Sequence, residues 1–279
     1  MRSFFVSMPA IGDVPRQVLL YLHGVGEAFN PIDDKATFPE NELVGRWGGK
    51  NLFNHGIPRI FHDPASTYKP TISSHPASYS YAPAGEQVKL ERPSVLLAPF
   101  DQFVTIAPQM FRREDMAKED KVNQMMSAAR SIAKALVGEE RKIAIMGFSR
   151  GGLAAFQWLA RHPDKKDVKV IVSMDAAPQD LKASKDLIAT ILTIKKPFWA
   201  FYADYSDCPG DRTDRITNMH RAINATKVEL TDEPPDDPPY QCMTELQTKG
   251  DAGERHNQVC TQVTRSSLVY DWILRQLRR

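Results

Sequence analysis

Short unbroken apolar runs, spaced by stretches of helical period, constrain this chain most. Val18–Leu22, Phe103–Ala107, Lys142–Met146, Val168–Met174, Phe198–Tyr202 and Met243–Gln247 read as strands; the second is expected to close at Pro108 and the third at Gly147. Their apolar residues are continuous rather than alternating, which is the pattern of strands buried on both faces, and so of a parallel sheet. Between them, Asp115 to Leu136 places Val122, Met125, Met126, Ala129, Ile132, Ala133 and Leu136 on one helical face. Leu153–Ala160, Arg215–Ile223 and Ser267–Leu277 are further helical stretches, and the last turns Leu268, Trp272, Leu274 and Leu277 toward a core. The expected class is α/β, with a mostly parallel central sheet and helices on both faces.

The chain has 279 residues, 42% hydrophobic and 25% charged, enough for a real core without a metal or disulfide staple. It reads as a single domain over residues 1–279, because strands continue on both sides of each irregular stretch. Residues 54–99, rich in Pro, Ser, Tyr and His, form an insertion expected to overhang the site. There Tyr68, Tyr79, Tyr81, His62 and His75 either line a binding surface or pack the insertion onto the body. Residues 231–240 read as an acidic, proline-rich surface loop. A net charge of +2 argues against nucleic acid or an anionic membrane as the main partner. No apolar run reaches the roughly 18 residues of a membrane span. The apolar stretch at Phe4-Phe5-Val6 is too short for a secretory signal. The sparse set Cys208, Cys242 and Cys260 leaves two readings, reduced thiols in a cytoplasmic protein or a Cys242–Cys260 disulfide in an exported one.

The chemistry concentrates in Gly147-Phe148-Ser149-Arg150-Gly151-Gly152. A Gly-x-Ser-x-Gly pattern alone arises by chance in roughly one chain in ten of this size. Here it follows a strand and opens a helix, the context in which a tight turn lifts a serine hydroxyl out of a sheet toward a helix N-terminus.

A serine nucleophile needs a base, and the base needs an orienting acid, in the chain order Ser, acid, His. Three histidines follow Ser149. His162 sits roughly 20 Å up the helix that begins at the serine, at about 1.5 Å per residue. His220 lies within a helical stretch ahead of the last strand. His256 lies in Gly250-Asp251-Ala252-Gly253-Glu254-Arg255-His256-Asn257, read as a mobile loop able to carry an imidazole over the hydroxyl, and is the expected base. The acid is expected after the Phe198–Tyr202 strand. Asp207 is the first candidate, Asp204 the second, and Asp175, after the fourth strand, the third. An oxyanion hole needs two backbone N–H groups. Arg150 supplies one, and the loop His23-Gly24-Val25-Gly26-Glu27 the other, from Gly24 or Val25.

Leu20 to Glu27, Ala107-Pro108-Gln109, the Gly147–Gly152 segment and His256 together resemble the α/β-hydrolase superfamily. Within it they resemble the phospholipase/carboxylesterase and predicted-peptidase group, which includes acyl-thioesterases and polyhydroxybutyrate-depolymerase-like esterases. The resemblance covers about residues 17–277. It implies an eight-stranded sheet and a Ser-His-Asp hydrolase with no metal. Three departures stand out: little chain before the first strand, which implies a reduced antiparallel edge; Tyr202-Ala203 where the group has His-Gly; and the long 54–99 insertion.

The expected function is hydrolysis of carboxylic esters, small or polymeric, through an acyl-enzyme and without a cofactor. A peptidase or thioesterase on the same triad, and a non-catalytic binding protein on a hydrolase fold, are the alternatives. Phosphate-loop, dinucleotide and His-Glu-x-x-His zinc signatures are absent from the sequence. The sequence carries nothing on oligomeric state.

Overall fold

The computed structural model describes residues 3–7, 17–24, 102–109, 115–116, 118–176, 189, 191, 193–194, 196–205, 226–227 and 241–279. The 54–99 insertion, the 231–240 loop, the helical stretch expected at 215–223, His220 and Cys208 lie outside the described residues.

Eight strands form one sheet: β1 (Ser3–Ser7), β2 (Gln17–Leu22), β3 (Val104–Gln109), β4 (Lys142–Phe148), β5 (Val168–Met174), β6 (Phe198–Ala203), β7 (Thr226–Lys227) and β8 (Gln241–Leu246). Their order is β1-β3-β2-β4-β5-β6-β8-β7. Among the described strands only β1 runs antiparallel, against β3. The sheet is therefore mostly parallel, as its apolar runs require. The antiparallel edge, expected to be reduced, consists of the five residues of β1, a strand that sequence reading did not place.

Two strand ends differ from expectation for local reasons. β3 does not close at Pro108 but runs through it to Gln109. Its pairing with β2 ends at Leu20 and Ile106, so Pro108 faces only the edge strand β1, where a missing N–H is tolerated. β4 likewise runs past Gly147 to Phe148, delivering the chain directly to Ser149.

Four longer helices cover the sheet: α1 (Glu119–Val137), α2 (Arg150–Arg161), α3 (Ala252–Thr264) and α4 (Ser267–Arg278). Successive strand residues point to opposite faces, and β6 makes both faces visible. Phe198 meets Phe156 of α2 edge-on, with centroids 5.6 Å apart, and Trp199 meets Trp272 of α4 at 5.4 Å. The Trp199 indole N–H is not stranded by burial, because it donates to Thr244 Oγ1 on β8 at 2.7 Å. The predicted face of α1 is the buried one: Val122, Met125, Met126, Ala129 and Ala133 are enclosed, with Ile132 and Leu136 at the margin. Arg130 of α1 holds Asp167, just ahead of β5, through bonds of 2.7–2.9 Å. No helix among the described residues is long and apolar enough to cross a membrane.

Cys242 and Cys260 are both buried thiols and are not joined in a disulfide. Burial pushes the Cys242 thiol up to about 11, so it is a weak nucleophile at neutral pH.

Candidate active site

The parallel strands β4, β5 and β6 end side by side, and their carboxyl ends build the site. Phe148 pairs with Met174, and Met174 with Phe201. The residues that follow continue the ladder. The Ser149 N–H donates to the Met174 carbonyl at 2.7 Å, and the Asp175 N–H donates to the Phe201 carbonyl at 2.7 Å.

Ser149 occupies the bend between β4 and α2 with φ 54° and ψ −119°. A non-glycine residue there carries strain of order 1–3 kcal/mol. The flanking composition permits the bend. A methyl group on Gly151 would lie 2.1 Å from the Leu22 carbonyl oxygen, so no larger residue lets α2 approach β2 this closely. The start of α2 is thus pressed against the end of β2. A methyl group on Gly24, just beyond β2, would in turn lie 3.5 Å from Ser149 Cβ, so the Gly24 backbone borders the serine. Val25 lies outside the described residues. Arg150 is the first residue of α2, so its N–H is one of the donors that a helix leaves without an intrahelical partner.

His23 is fully buried beside this loop, and its Nδ1 lies 2.7 Å from the Gly24 carbonyl oxygen. Burial pushes its pKa down to about 4, partly opposed by that bond. A neutral ring is therefore buried at the end of β2, held to the Gly24 carbonyl.

His256 does not sit on a loop. It stands in the first turns of α3. Asp251 caps that helix, accepting from the Gly253 and Glu254 amides at 2.8 and 2.9 Å, while Glu254 accepts from the Asp251 amide at 3.0 Å. The cue, Asp251 followed three residues later by Glu254, is present in the sequence. Gly250, at φ 97°, makes the turn into the cap, and any side chain there would collide with Glu254.

The imidazole lies against the Phe148 ring, with centroids 4.5 Å apart, which puts it beside the serine bend. Its Nδ1 is 2.5 Å from Asp175 Oδ2. The Asp175 side chain is 0% exposed and that of His256 15%. Asp175 is the other described non-glycine residue with positive φ, at 47°. Its Oδ2 also accepts from the Tyr205 hydroxyl at 2.5 Å. Its Oδ1 has no hydrogen-bond partner among the described residues.

The carboxylate on His256 is therefore that of Asp175, the third candidate, where sequence reading favoured Asp207. Asp207 lies outside the described residues. Asp204 is engaged through its backbone: its carbonyl accepts from Arg255 Nη1 at 2.6 Å, and its N–H reaches the Leu246 carbonyl at 3.4 Å. Arg255 Nε also donates to the Gly250 carbonyl at 2.8 Å. The residue beside His256 thus ties α3 to the end of β6. His162 caps the far end of α2, with Nε2 on Asn123 Oδ1 at 3.0 Å, and belongs to the helix packing there. Two sequence signals bear on Asp175, its place after the fourth strand and the Tyr202-Ala203 departure at the end of β6, and sequence reading gave them too little weight.

A mostly parallel eight-stranded sheet covered on both faces, with a strained serine between a central strand and a helix, is the α/β-hydrolase fold. No protein-family profile and no curated protein sequence matches the chain. Solved structures similar to it include a dienelactone hydrolase from Anabaena variabilis (11% identity, 99% of each chain covered, TM-score 0.47). Another is Est1E from Butyrivibrio proteoclasticus with ferulic acid bound (9% identity, 99% of this chain and 96% of that one, TM-score 0.49). A third is a thioesterase domain from the curacin biosynthetic pathway (9% identity, 98% of this chain and 100% of that one, TM-score 0.46).

Proposed function

We propose that this protein is a serine hydrolase that cleaves carboxylic esters through an acyl-enzyme, with Ser149 as nucleophile, His256 as base and Asp175 as orienting acid. The observation that carries the reading is the 2.5 Å approach of His256 Nδ1 to the buried Asp175 Oδ2, beside the strained serine bend. With Nδ1 committed to a carboxylate, the proton of the neutral ring sits there and Nε2 is left to accept one. Asp175 takes the role that sequence reading gave to Asp207, because β5 ends next to the serine strand and its aspartate meets His256 directly.

In the first half-reaction the Ser149 hydroxyl oxygen attacks the ester carbonyl carbon and His256 Nε2 takes the hydroxyl proton. Asp175 stabilises the resulting imidazolium. The Arg150 amide and an amide of the Gly24–Val25 segment receive the negative oxygen, each donor in such a site being worth about 10²–10³ in rate. The ester C–O bond then breaks, and the imidazolium proton goes to the leaving alcohol. In the second half-reaction His256 takes a proton from water, the hydroxyl attacks the acyl carbon, and the proton returns to Ser149 as the acid departs. No step calls for a metal or an organic cofactor.

A fluorophosphonate probe followed by peptide mass mapping tests the nucleophile, and the adduct is expected on Ser149. A p-nitrophenyl ester series against matched thioesters and anilides tests the substrate class, with oxygen esters turned over fastest. A chain that takes no label and turns over none of these substrates is not a serine hydrolase.

A further inference from the structure

Tyr205 stands two residues beyond β6, 2% exposed, with its hydroxyl aimed inward at Asp175. Two donors, the Tyr205 hydroxyl and His256 Nδ1, converge on the same oxygen, Oδ2, while Oδ1 has no partner among the described residues. A buried carboxylate has two chemically equivalent oxygens. Held by one donor, it can still rock about its Cβ–Cγ bond. Two donors arriving from different elements remove that freedom, since only one orientation satisfies both.

The tyrosine is itself anchored. The preceding residue, Asp204, is clasped through its carbonyl by Arg255, the neighbour of His256. The end of β6 that carries the hydroxyl and the helix that carries the imidazole are therefore fixed to each other as well as to Asp175.

We propose that Tyr205 is a positioning residue for the hydrolase reaction: its hydroxyl fixes the orientation of the Asp175 carboxylate toward His256 and shares with the imidazole the charge of the oxygen that both meet. The inference rests on the serine-hydrolase reading above. Donation from Tyr205 weakens the pull of Oδ2 on the Nδ1 proton while keeping the carboxylate in register. Losing it leaves a tighter but less well-directed Asp175–His256 bond.

The test uses the full chain. Tyr205→Phe is expected to lower kcat on p-nitrophenyl acetate about ten-fold, the scale of one hydrogen bond to a charged group, with KM unchanged. In the proton NMR spectrum the His256 Nδ1–H resonance is expected to move downfield, since Oδ2 now serves the imidazole alone. Replacing Tyr205 by 3-fluorotyrosine, which keeps the shape and strengthens the donor, is expected to move the same resonance upfield, so the proposal stays testable should the phenylalanine variant fail to fold. In an Asp175→Asn background Tyr205→Phe is expected to add no further loss.

An unmoved resonance in both variants, a loss confined to KM, or a full additional loss in the Asp175→Asn background overturns the proposal. Failure of the parent reading looks different. A wild-type chain that takes no fluorophosphonate ends the serine-hydrolase assignment, whereas the resonance shifts still report whether Tyr205 acts on Asp175 and His256.

Discussion

His256 and Asp175 meet at 2.5 Å although 81 residues separate them along the chain. Two other strand ends meet them there: β4, through the Phe148 ring on the imidazole, and β6, through the Tyr205 hydroxyl on the carboxylate. Geometry of this kind allows each role to be tested one residue at a time.

Replacing the proposed nucleophile separates chemistry from folding. Ser149→Ala is expected to bring turnover of p-nitrophenyl esters to background, with an unchanged circular dichroism spectrum. Ser149→Gly is expected to be equally inactive yet more stable than Ser149→Ala by about 1 kcal/mol, because glycine relieves the positive-φ strain. Urea titration measures the difference, and an alanine variant at least as stable as the glycine one contradicts the strain.

The identity of the acid is decided by paired substitutions. Asp175→Asn is expected to lower kcat by about 10⁴, since an amide no longer holds the imidazole in the needed tautomer. Asp204→Asn, which keeps the backbone carbonyl that Arg255 grips, is expected to leave kcat near the wild-type value. Steady-state kinetics on both variants, with Asp207→Asn alongside, checks the assignment. A collapse in Asp207→Asn with Asp175→Asn unaffected returns the role to Asp207.

The close approach of α2 to β2 has a stability signature. Gly151→Ala is expected to cost about 3 kcal/mol, because the added carbon would have to displace the backbone of Leu22 and His23. Gly253→Ala, in the first turn of α3 and 3.2 Å from the capping Asp251 side chain, with no backbone in the way, is expected to stay within about 1 kcal/mol of wild type. Thermal melts of the two variants make the comparison.

Acid stability reports on His23. Its folded pKa, about 4, lies below the ordinary value of 6.5, so below pH 6.5 the unfolded chain binds a proton that the folded chain refuses. Stability from this group is therefore complete above pH 6.5 and declines as pH falls toward 4, by about 3 kcal/mol in all. His23→Gln is expected to flatten that part of the urea midpoint against pH curve. A variant whose midpoint falls as steeply as the wild type's between pH 6.5 and 4 rules His23 out as the source.

The sheet was legible because fully buried parallel strands announce themselves as unbroken apolar runs; Val168–Met174 was read to the residue. Ser149 was legible because strand, glycine pair and helix coincide there. β1 and the two-residue β7 escaped, since edge pairing puts no comparable demand on composition. The helical setting of His256 escaped because Gly250 and Gly253 suggested a loop, although Asp251 and Glu254 spelled out a cap. Asp175 ranked third because a strand-terminal aspartate looks the same whether it makes a turn or meets a distant histidine. What distinguishes it, the Tyr205 hydroxyl and the His256 ring, is contributed by residues 30 and 81 positions away.

The amides of Ser149 and Asp175 are both bonded to carbonyls of interior strands. Proton–deuterium replacement at these two positions would then wait for the interior strands to part, while His256 stands in the first turns of α3, ahead of that helix's buried Val259, Cys260 and Val263. Fraying of those first turns would shift the imidazole before the serine bend is disturbed.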